Sequence, residues 1–467
     1  MRKSLLAVAF IALALGVNAQ NPQSNPSKKY VPPTDPQVIE KLDNWQDLKF
    51  GVLIHWGIYS VPGIVESWSL MSTDQDWISG PRIKRKMDYF TYKKWYFSLA
   101  DKFNPVNMDT NKWADIMKDA GAKYFIFTTK HHDGYCMFDS KYSDFGIAHG
   151  PFAKDPRHDI TKEVFTSFRN KGLWVGAYFS KPDWHNPDLW NPYFTTGATM
   201  EANYDTSRHQ DWWQSYKRFV RNQVGEITSN YGNVDIMWLD ASSMNVNNLG
   251  LDSVMTQARK RSPGMLVIDR GNIGPWMNYF TPEMTIPDKQ LTDPWESCMK
   301  LGYYWSWRPD QKYRPAREVV NILTEIVAKG GSLALGVGPQ PDGTFEQSVI
   351  DILHGVGQWL NVNGRAIYGT RSAKVYNDRR TWFTADKNGK TLYAIYALPL
   401  GESLPASITW KGNIPKGKMK LLAGNKTVKY SVNGDEVTVI LPKGTTDDAI
   451  AFEFNIQVGD EEGYISH

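Results

Sequence analysis

Apolar runs of strand length alternate with segments of helical period over most of this chain, and this alternation limits the fold more than any other feature. The runs FGVLIHWG, KYFIFTTKHH, LWVGAYFS and NVDIMWLD indicate buried strands, with helix-like stretches between them. Strand, helix and strand in repetition predict an α/β protein with a parallel sheet. The number of repeats favours a (β/α)8-type barrel over an open doubly wound sheet. No G-x-G-x-x-G sequence follows the first strand, which argues against a dinucleotide-binding fold.

The helical segments have faces and ends that the sequence marks. In TNKWADIMKDAGA, apolar residues recur at the i, i+3, i+4 and i+7 spacing of one helix face. These residues are Trp113, Ile116, Met117 and Ala120. The helix in DITKEVFTSFRNKG is predicted to begin after an N-cap at Asp159 and to stop at Gly172.

The pattern of apolar and polar residues changes after Tyr368. Short alternating runs such as TLYAIYAL and EVTVILP follow one another, separated by Gly, Asn, Asp and Pro. We therefore predict an irregular (β/α)8-like, TIM-type barrel over residues 38–368 and a C-terminal β-sandwich over residues 369–467.

The N-terminus has the features of an exported protein. Arg2 and Lys3 precede an apolar stretch that ends near a small residue at Ala19, which predicts a signal peptide over residues 1–19. The Pro- and Asn-rich residues 20–37 indicate a flexible leader. No later segment is long and apolar enough to predict a membrane span, so we expect a periplasmic or secreted protein.

Charge and cysteine content exclude several classes of partner. The chain has 53 basic and 49 acidic side chains, and its one dense basic run, residues 82–94, indicates a solvated helix face rather than a nucleic-acid surface. Its 19 tryptophans favour a carbohydrate ligand, although large core side chains explain them equally well. With only Cys136 and Cys298, the chain has no disulfide framework, and these two either pair or remain buried thiols.

Sites in parallel barrels lie where the strands end, so the residues at those ends are the candidates for chemistry. The predicted strand ends carry His55, His131, His132, Tyr178, Trp238, Asp240, Asp269 and Arg270. Imidazoles, carboxylates, an arginine and aromatic rings at one barrel mouth suit a small ligand rich in hydroxyl groups.

Three kinds of site fit these residues. A metal could be held by the three histidines and Asp240, but adjacent residues of an extended strand point to opposite faces, so we expect His131 and His132 not to share an ion. A glycosidase needs two carboxyl groups; Asp240 is the candidate for the ionised one, and Glu283 and Glu296 both follow the next strand. A non-catalytic sugar-binding protein could use the same hydrogen-bonding side chains.

Several segments together resemble a known family. FGVLIHWGIYSVPG, ESWS, the long block through KHHDG, VDIMWLD, TPE and GPQPDGTF resemble, in this order, the α-L-fucosidases of glycoside hydrolase family 29 over residues 45–368. The resemblance implies a retaining exo-hydrolase that removes terminal α-linked L-fucose from fucosylated oligosaccharides or glycoconjugates by double displacement, without a metal or other cofactor. A non-catalytic fucose-binding protein and a hydrolase of a related sugar such as α-L-galactose are the alternatives.

The resemblance also implies roles for individual residues. Asp240 matches the nucleophile, and Glu283 is the first choice for the acid/base, with Glu296 as runner-up. The matching fucose-binding positions are His55, Glu66, His131, His132, Tyr178, Trp238 and Arg270, with Trp68 as an aromatic wall. Two departures stand out: one residue separates Glu66 from Trp68, and Gly336 replaces a commoner asparagine, so no site residue is predicted there.

Overall fold

The computed structural model describes residues 30–72, 87–194, 199–272, 274–445 and 450–456. The predicted signal peptide and the first part of the predicted leader lie outside these residues. Helix α1 begins at Pro36, two residues before the predicted start of the barrel, and the Asp35 side chain caps it by accepting from the Gln37 N–H. Ahead of this helix, Tyr30 packs against Phe280 of the barrel.

A parallel sheet of seven strands forms the first part of the molecule. Its strands are β1 Phe50–Ile54, β2 Tyr124–Lys130, β3 Trp174–Ser180, β4 Ile236–Asp240, β5 Leu266–Val267, β6 Glu296–Lys300 and β7 Ser332–Val337. They lie in the order β5-β4-β3-β2-β1-β7-β6. Nearly every strand residue is buried, because helices cover one face and the barrel interior the other. The predicted TIM-type α/β architecture is thereby confirmed.

The irregularity of the barrel lies between β5 and β6. There, residues 279–283 pair with both neighbours through isolated parallel bridges, Ile268 with Tyr279 on one side and Phe280 with Trp295 on the other. A further bridge joins Glu283 to Cys298 in β6. This segment therefore occupies the place of an eighth strand and carries Glu283 to the barrel mouth.

Helices connect the strands and lie outside them. They are α1 Pro36–Leu48, α2 Tyr89–Phe97, α3 Thr110–Asp119, α4 Ile160–Asn170, α5 Gln210–Asn230, α6 Val246–Leu249, α7 Asp252–Arg261, α8 Ala316–Ala328 and α9 Gln347–Asn363. The predicted ends of α4 are confirmed, since the Asp159 side chain accepts from the Lys162 N–H and Gly172 adopts a φ of 83° just past the helix. In α3, Trp113 and Met117 are buried, as the spacing predicts. Residues 82–86 of the basic run lie outside the described residues.

An antiparallel sheet of eight strands forms the C-terminal part. Its strands are β8 Arg371–Asp378, β9 Thr381–Ala385, β10 Thr391–Tyr396, β11 Ser407–Lys411, β12 Pro415–Leu421, β13 Lys426–Asn433, β14 Glu436–Ile440 and β15 Ile450–Ile456. They lie in the order β11-β14-β13-β12-β15-β10-β9-β8. Trp410 of the edge strand β11 packs on Phe383 of β9 and on Phe452 and Phe454 of β15. The sheet thus folds over its own core, as the predicted β-sandwich requires.

The two cysteines are separate buried thiols. Cys136 lies in the loop after β2 and Cys298 in β6. None of the helices that the structure describes is long and apolar enough to cross a membrane.

Candidate active site

A cavity opens at the C-terminal ends of the barrel strands. It is lined by Leu53, His55, Trp68, His131, His132, Tyr178, Trp238, Asp240, Arg270, Glu283, Cys298 and Trp305. Most of the residues predicted to form a site therefore converge. Glu66 and Glu296 are predicted site residues that do not line the cavity, whereas Leu53, Cys298 and Trp305 line it without having been predicted.

The adjacent histidines both face this cavity, so the prediction that they point to opposite faces is wrong. The ladder between β2 and β3 is irregular after Thr128, and β2 ends at Lys130. His131 and His132 therefore lie in a turn, in which the Gly134 N–H donates to the His131 carbonyl, and their ring centroids are 4.3 Å apart. Strand alternation no longer applies there. Among the described residues, no three His, Cys, Asp or Glu side chains are grouped as metal ligands.

Ser180 fixes the tautomer of His132. The Ser180 hydroxyl donates to the Pro182 carbonyl at 2.6 Å, and its oxygen lies 2.6 Å from His132 Nδ1. Because a hydroxyl has one hydrogen, Nδ1 must be the donor to Ser180. Burial lowers the pKa of His132 to about 4, although the Asp240 carboxylate opposes this shift, so the ring is neutral near pH 7. His132 Nε2 is therefore an acceptor, and it has no partner among the described residues.

Asp240, the last residue of β4, has one engaged and one open carboxylate oxygen. The Tyr178 hydroxyl donates to Oδ2 at 2.5 Å, and burial together with the Asp240 charge raises the pKa of Tyr178, which keeps it a donor. Oδ1 has no hydrogen-bond partner among the described residues and lies 3.7 Å from Arg270 Nη1. Burial alone would raise the pKa of Asp240, but the Arg270 guanidinium and the Tyr178 hydrogen bond outweigh it and lower the pKa. Asp240 is thus an ionised carboxylate with an oxygen available to a ligand.

One nitrogen of Arg270 lies between two carboxylates. Nη1 is 3.7 Å from Asp240 Oδ1 and 2.8 Å from Glu283 Oε2. The separation of these two oxygens cannot exceed the sum of the two distances. That limit accommodates the roughly 5–5.5 Å of retaining glycosidases and falls at the lower edge of the roughly 6.5–9.5 Å of inverting ones. The Glu283 side chain is 23% exposed, so it lies at the rim of the cavity.

Glu296 lies beneath the cavity rather than in it. It is the first residue of β6 and fully buried, and it accepts from the Tyr124 hydroxyl at 2.6 Å and from Trp238 Nε1 at 3.2 Å. Burial raises the pKa of Glu296 to about 7, although both hydrogen bonds oppose the shift. Glu296 is therefore a side chain of the barrel interior, and its hydrogen bond positions Trp238.

Glu66 also acts from behind the cavity wall. It is 1% exposed, and its Oε1 accepts from the Ser306 N–H at 2.6 Å. Ser306 follows Trp305, so Glu66 holds the loop that brings the Trp305 ring to the cavity. Burial raises the pKa of Glu66, opposed by the bond from Ser306.

Trp305 is the residue that sequence reasoning missed most clearly. Its ring stacks on His55, with centroids 5.2 Å apart and an interplanar angle of 27°. A Cβ at Gly336 would lie 2.4 Å from Trp305 Cε3, so the indole fits only because β7 carries glycine there. The only sequence signal for this wall was the unusual Gly336. It indicated that a side chain is missing from β7, and it did not indicate that the Trp305 ring takes that place.

An aromatic cluster closes the other side of the cavity. Trp68 meets the His132 ring edge-on at 4.9 Å and contacts Trp184, which stacks on Trp190 at 4.7 Å and 9°. Trp184 and Trp190 are at most 2% exposed. Within the described residues 181–194, the loop after β3 is therefore packed on the barrel by its own aromatic side chains.

The strand ends of this barrel bring imidazoles and aromatic walls together with two carboxylates around one guanidinium. This is the architecture of a glycoside hydrolase. The model of the family described as Alpha-L-fucosidase matches residues 17–365, and the chain belongs to that family. It is a glycoside hydrolase that acts on α-L-fucosyl bonds.

The relatives and solved structures that match cover most of both chains. The chain is 28% identical to an α-L-fucosidase of Dictyostelium discoideum, over 87% of this chain and 89% of the relative. It is also 28% identical to human plasma α-L-fucosidase, over 86% of this chain and 84% of the relative. Its fold is similar to that of α-L-fucosidase isoenzyme 1 from Paenibacillus thiaminolyticus, with a TM-score of 0.75, 27% identity and coverage of 90% and 100%. It is also similar to the fold of a Thermotoga maritima α-fucosidase in complex with fucose, with a TM-score of 0.70 and 27% identity. That match covers 88% of this chain and 96% of the other.

Proposed function

We propose that this protein removes terminal α-linked L-fucose with retention of configuration, using Asp240 as nucleophile and Glu283 as acid/base. The observation that carries the proposal is the single Arg270 nitrogen lying 3.7 Å from Asp240 and 2.8 Å from Glu283. The limit that these distances set on the carboxylate separation includes the roughly 5–5.5 Å that suits a covalent intermediate, whereas nearly all of the roughly 6.5–9.5 Å that an inverting enzyme needs for its water lies beyond it.

Double displacement gives the two carboxyl groups different tasks. Asp240 is ionised, and its Oδ1, which has no hydrogen-bond partner among the described residues, attacks the anomeric carbon while the bond to the leaving oxygen breaks. Glu283 gives its proton to that oxygen, and Arg270 then stabilises the carboxylate left behind. In the second step Glu283 takes a proton from water, which attacks the same carbon and releases Asp240.

The competing glutamate, Glu296, has a suitable pKa but an unsuitable position. The pKa of about 7 that burial gives Glu296 is typical of a catalytic acid. Geometry has priority, because a proton donor must come within hydrogen-bond reach of the leaving oxygen. Glu296 is enclosed by Tyr124 and Trp238, whereas Glu283 reaches the rim of the cavity.

The cavity also suits a 6-deoxy sugar. His55, His131 and His132 offer ring nitrogens to hydroxyl groups, and the unpaired His132 Nε2 accepts from one of them. Leu53 and Trp305 add apolar surface for the C5 methyl group. A hydroxymethyl in its place would lose water without gaining a partner. We therefore expect faster hydrolysis of an aryl α-L-fucoside than of the matching α-L-galactoside; binding of fucose without any turnover would instead support the non-catalytic alternative.

Azide rescue tests the choice of acid/base. Glu283→Ala and Glu296→Ala are assayed with an activated fucoside, with and without azide. We expect azide to restore turnover to Glu283→Ala alone and to yield a fucosyl azide with the anomeric configuration of the substrate, because azide replaces the missing carboxylate. Rescue of Glu296→Ala alone would reverse the assignment.

We also propose that the protein is exported and meets fucosylated glycans in the periplasm or outside the cell. Arg2, Lys3 and the apolar stretch before Ala19 support this proposal. Mass spectrometry of the chain from fractionated cells tests it. A mature N-terminus at Gln20 outside the cytoplasm is expected, whereas a chain that keeps Met1 inside the cytoplasm would contradict it.

A further inference from the structure

We propose that Lys300 and Tyr303 form the subsite for the sugar that carries the fucose. The inference rests on the proposed function, since it takes Glu283 as the group that protonates the leaving oxygen. The leaving sugar must then lie against the part of the rim next to Glu283. The chemistry expected of it is a neutral pyranose that offers a C–H face to an aromatic ring and a hydroxyl group to an ammonium.

The backbone places Lys300 beside the acid/base. Met284 follows Glu283, and its N–H donates to the Cys298 carbonyl at 3.0 Å. The Lys300 N–H in turn lies 3.3 Å from Met284 Sδ. The end of β6 therefore runs along the segment that carries Glu283, and Tyr303 and Trp305 follow within five residues.

The Lys300 side chain is near both a ring that lines the fucose cavity and an exposed ring. Its Nζ is 5.9 Å from the ring centroid of Trp305, which lines the cavity, and 5.9 Å from that of Tyr303. Tyr303 is 68% exposed. A sugar attached to a fucose against Trp305 would meet the Lys300 ammonium first and the Tyr303 ring next to it.

The Tyr303 ring is exposed but backed by a fixed neighbour. It meets the Tyr304 ring edge-on at 4.9 Å, and the Tyr304 N–H donates to Gln311 Oε1 at 2.6 Å. Arg308 lies 4.1 Å from the Tyr304 ring. A single exposed aromatic residue is ordinary. One that packs on a fixed neighbour and lies 5.9 Å from an ammonium is a ready platform for a pyranose ring.

Comparison of two substrates tests the subsite. α-L-Fucosyl fluoride has a leaving group too small to reach Tyr303, whereas a fucosylated trisaccharide extends past it. We expect Tyr303→Ala to lower kcat/KM for the trisaccharide roughly tenfold, as loss of an aromatic contact does, and to leave the fluoride unchanged. Tyr303→Phe keeps the ring and should retain activity, and Lys300→Met should show a smaller, equally selective loss.

A matched control identifies the competing location. Tyr142 is also exposed, at 48%, and lines a separate cleft with Phe145 and His185. Selective loss in Tyr142→Ala, with Tyr303→Ala unaffected, would overturn the proposal and place the sugar in that cleft. Equal losses on both substrates in Tyr303→Ala would also overturn it, since the residue would then support the fucose cavity. If the unsubstituted protein hydrolyses neither substrate, the proposed function itself fails.

Discussion

Ser180 shows how one buried hydroxyl group controls what the cavity can bind. Its only hydrogen is used on the Pro182 carbonyl, so His132 must donate from Nδ1 and present a lone pair at Nε2. A ligand hydroxyl at that position can then only donate. The site thus requires a hydroxyl hydrogen beside Asp240, whose Oδ2 is 3.8 Å from His132 Nε2.

Ser180→Ala should release His132 from this constraint. We expect a roughly fivefold loss in kcat/KM, because one hydrogen bond contributes about 1 kcal/mol and the ring becomes free to carry its hydrogen on Nε2. The ¹⁵N shifts of His132, together with the thermal midpoint, separate this effect from general destabilisation. An unchanged tautomer with an equal loss of activity would show that Ser180 acts only through packing.

At this scale the sequence predicts which residues reach the site better than it predicts their direction. His55, Tyr178, Asp240 and Arg270 follow from the rule that parallel strands end together. His131 and His132 follow from the same rule, but their common direction does not, because the turn after Lys130 cancels strand alternation. Glu283 and Glu296 have similar sequence settings, and only the bridging segment between β5 and β6 separates rim from interior.

At the scale of elements, β7 and the loop after β6 depend on one small residue. Gly336 lets Trp305 cross the end of β7 and stack on His55. The strand and helix pattern predicts β7, because the buried apolar run SLALGVGP is a local signal, but it does not predict β6, whose residues ESCMK form no continuous apolar run. It does not predict the path of the loop, since that path depends on a backbone contact from Ser306 to Glu66, distant in sequence.

Gly336→Ala should displace Trp305. Its new Cβ would lie 2.4 Å from the indole, so we expect lower thermal stability and a higher KM for an aryl fucoside. Adding Trp305→Leu should restore stability, because the smaller side chain removes the clash, but should leave KM high because the apolar wall is lost. A Gly336→Ala protein with normal stability and KM would disprove the close contact.

At the scale of the whole molecule, a charged cluster joins the barrel to the β-sandwich. Arg371 at the start of β8 is 8% exposed and lies 2.5 Å from Asp43 and 2.7 Å from Asp47 of α1. Beside it, the Ser372 hydroxyl donates to the Ala328 carbonyl at the end of α8. The sequence predicts the two folds separately but not this contact, because isolated charges carry no signal of their partners.

Arg371→Ala should destabilise the protein without affecting catalysis. Loss of a buried guanidinium leaves Asp43 and Asp47 with Lys387 as their remaining ion-pair partner among the described residues, which should cost about 1–3 kcal/mol and lower the urea midpoint. Arg380→Ala is the matched control, since its pair with Glu402 is half-exposed on both sides and should contribute much less. Equal midpoints for the two variants would contradict a structural role for the cluster.

The covalent intermediate is the most direct test of the whole account. The protein is incubated with 2-deoxy-2-fluoro-α-L-fucosyl fluoride, digested and mapped by mass spectrometry, with Asp240→Asn as control. We predict one added fluorofucosyl group on Asp240 and none in the control, because the ionised Asp240 with its open Oδ1 is the nucleophile. A label on Glu283 or on any residue other than Asp240, or turnover without a labelled intermediate and with inversion at the anomeric carbon, would contradict the account.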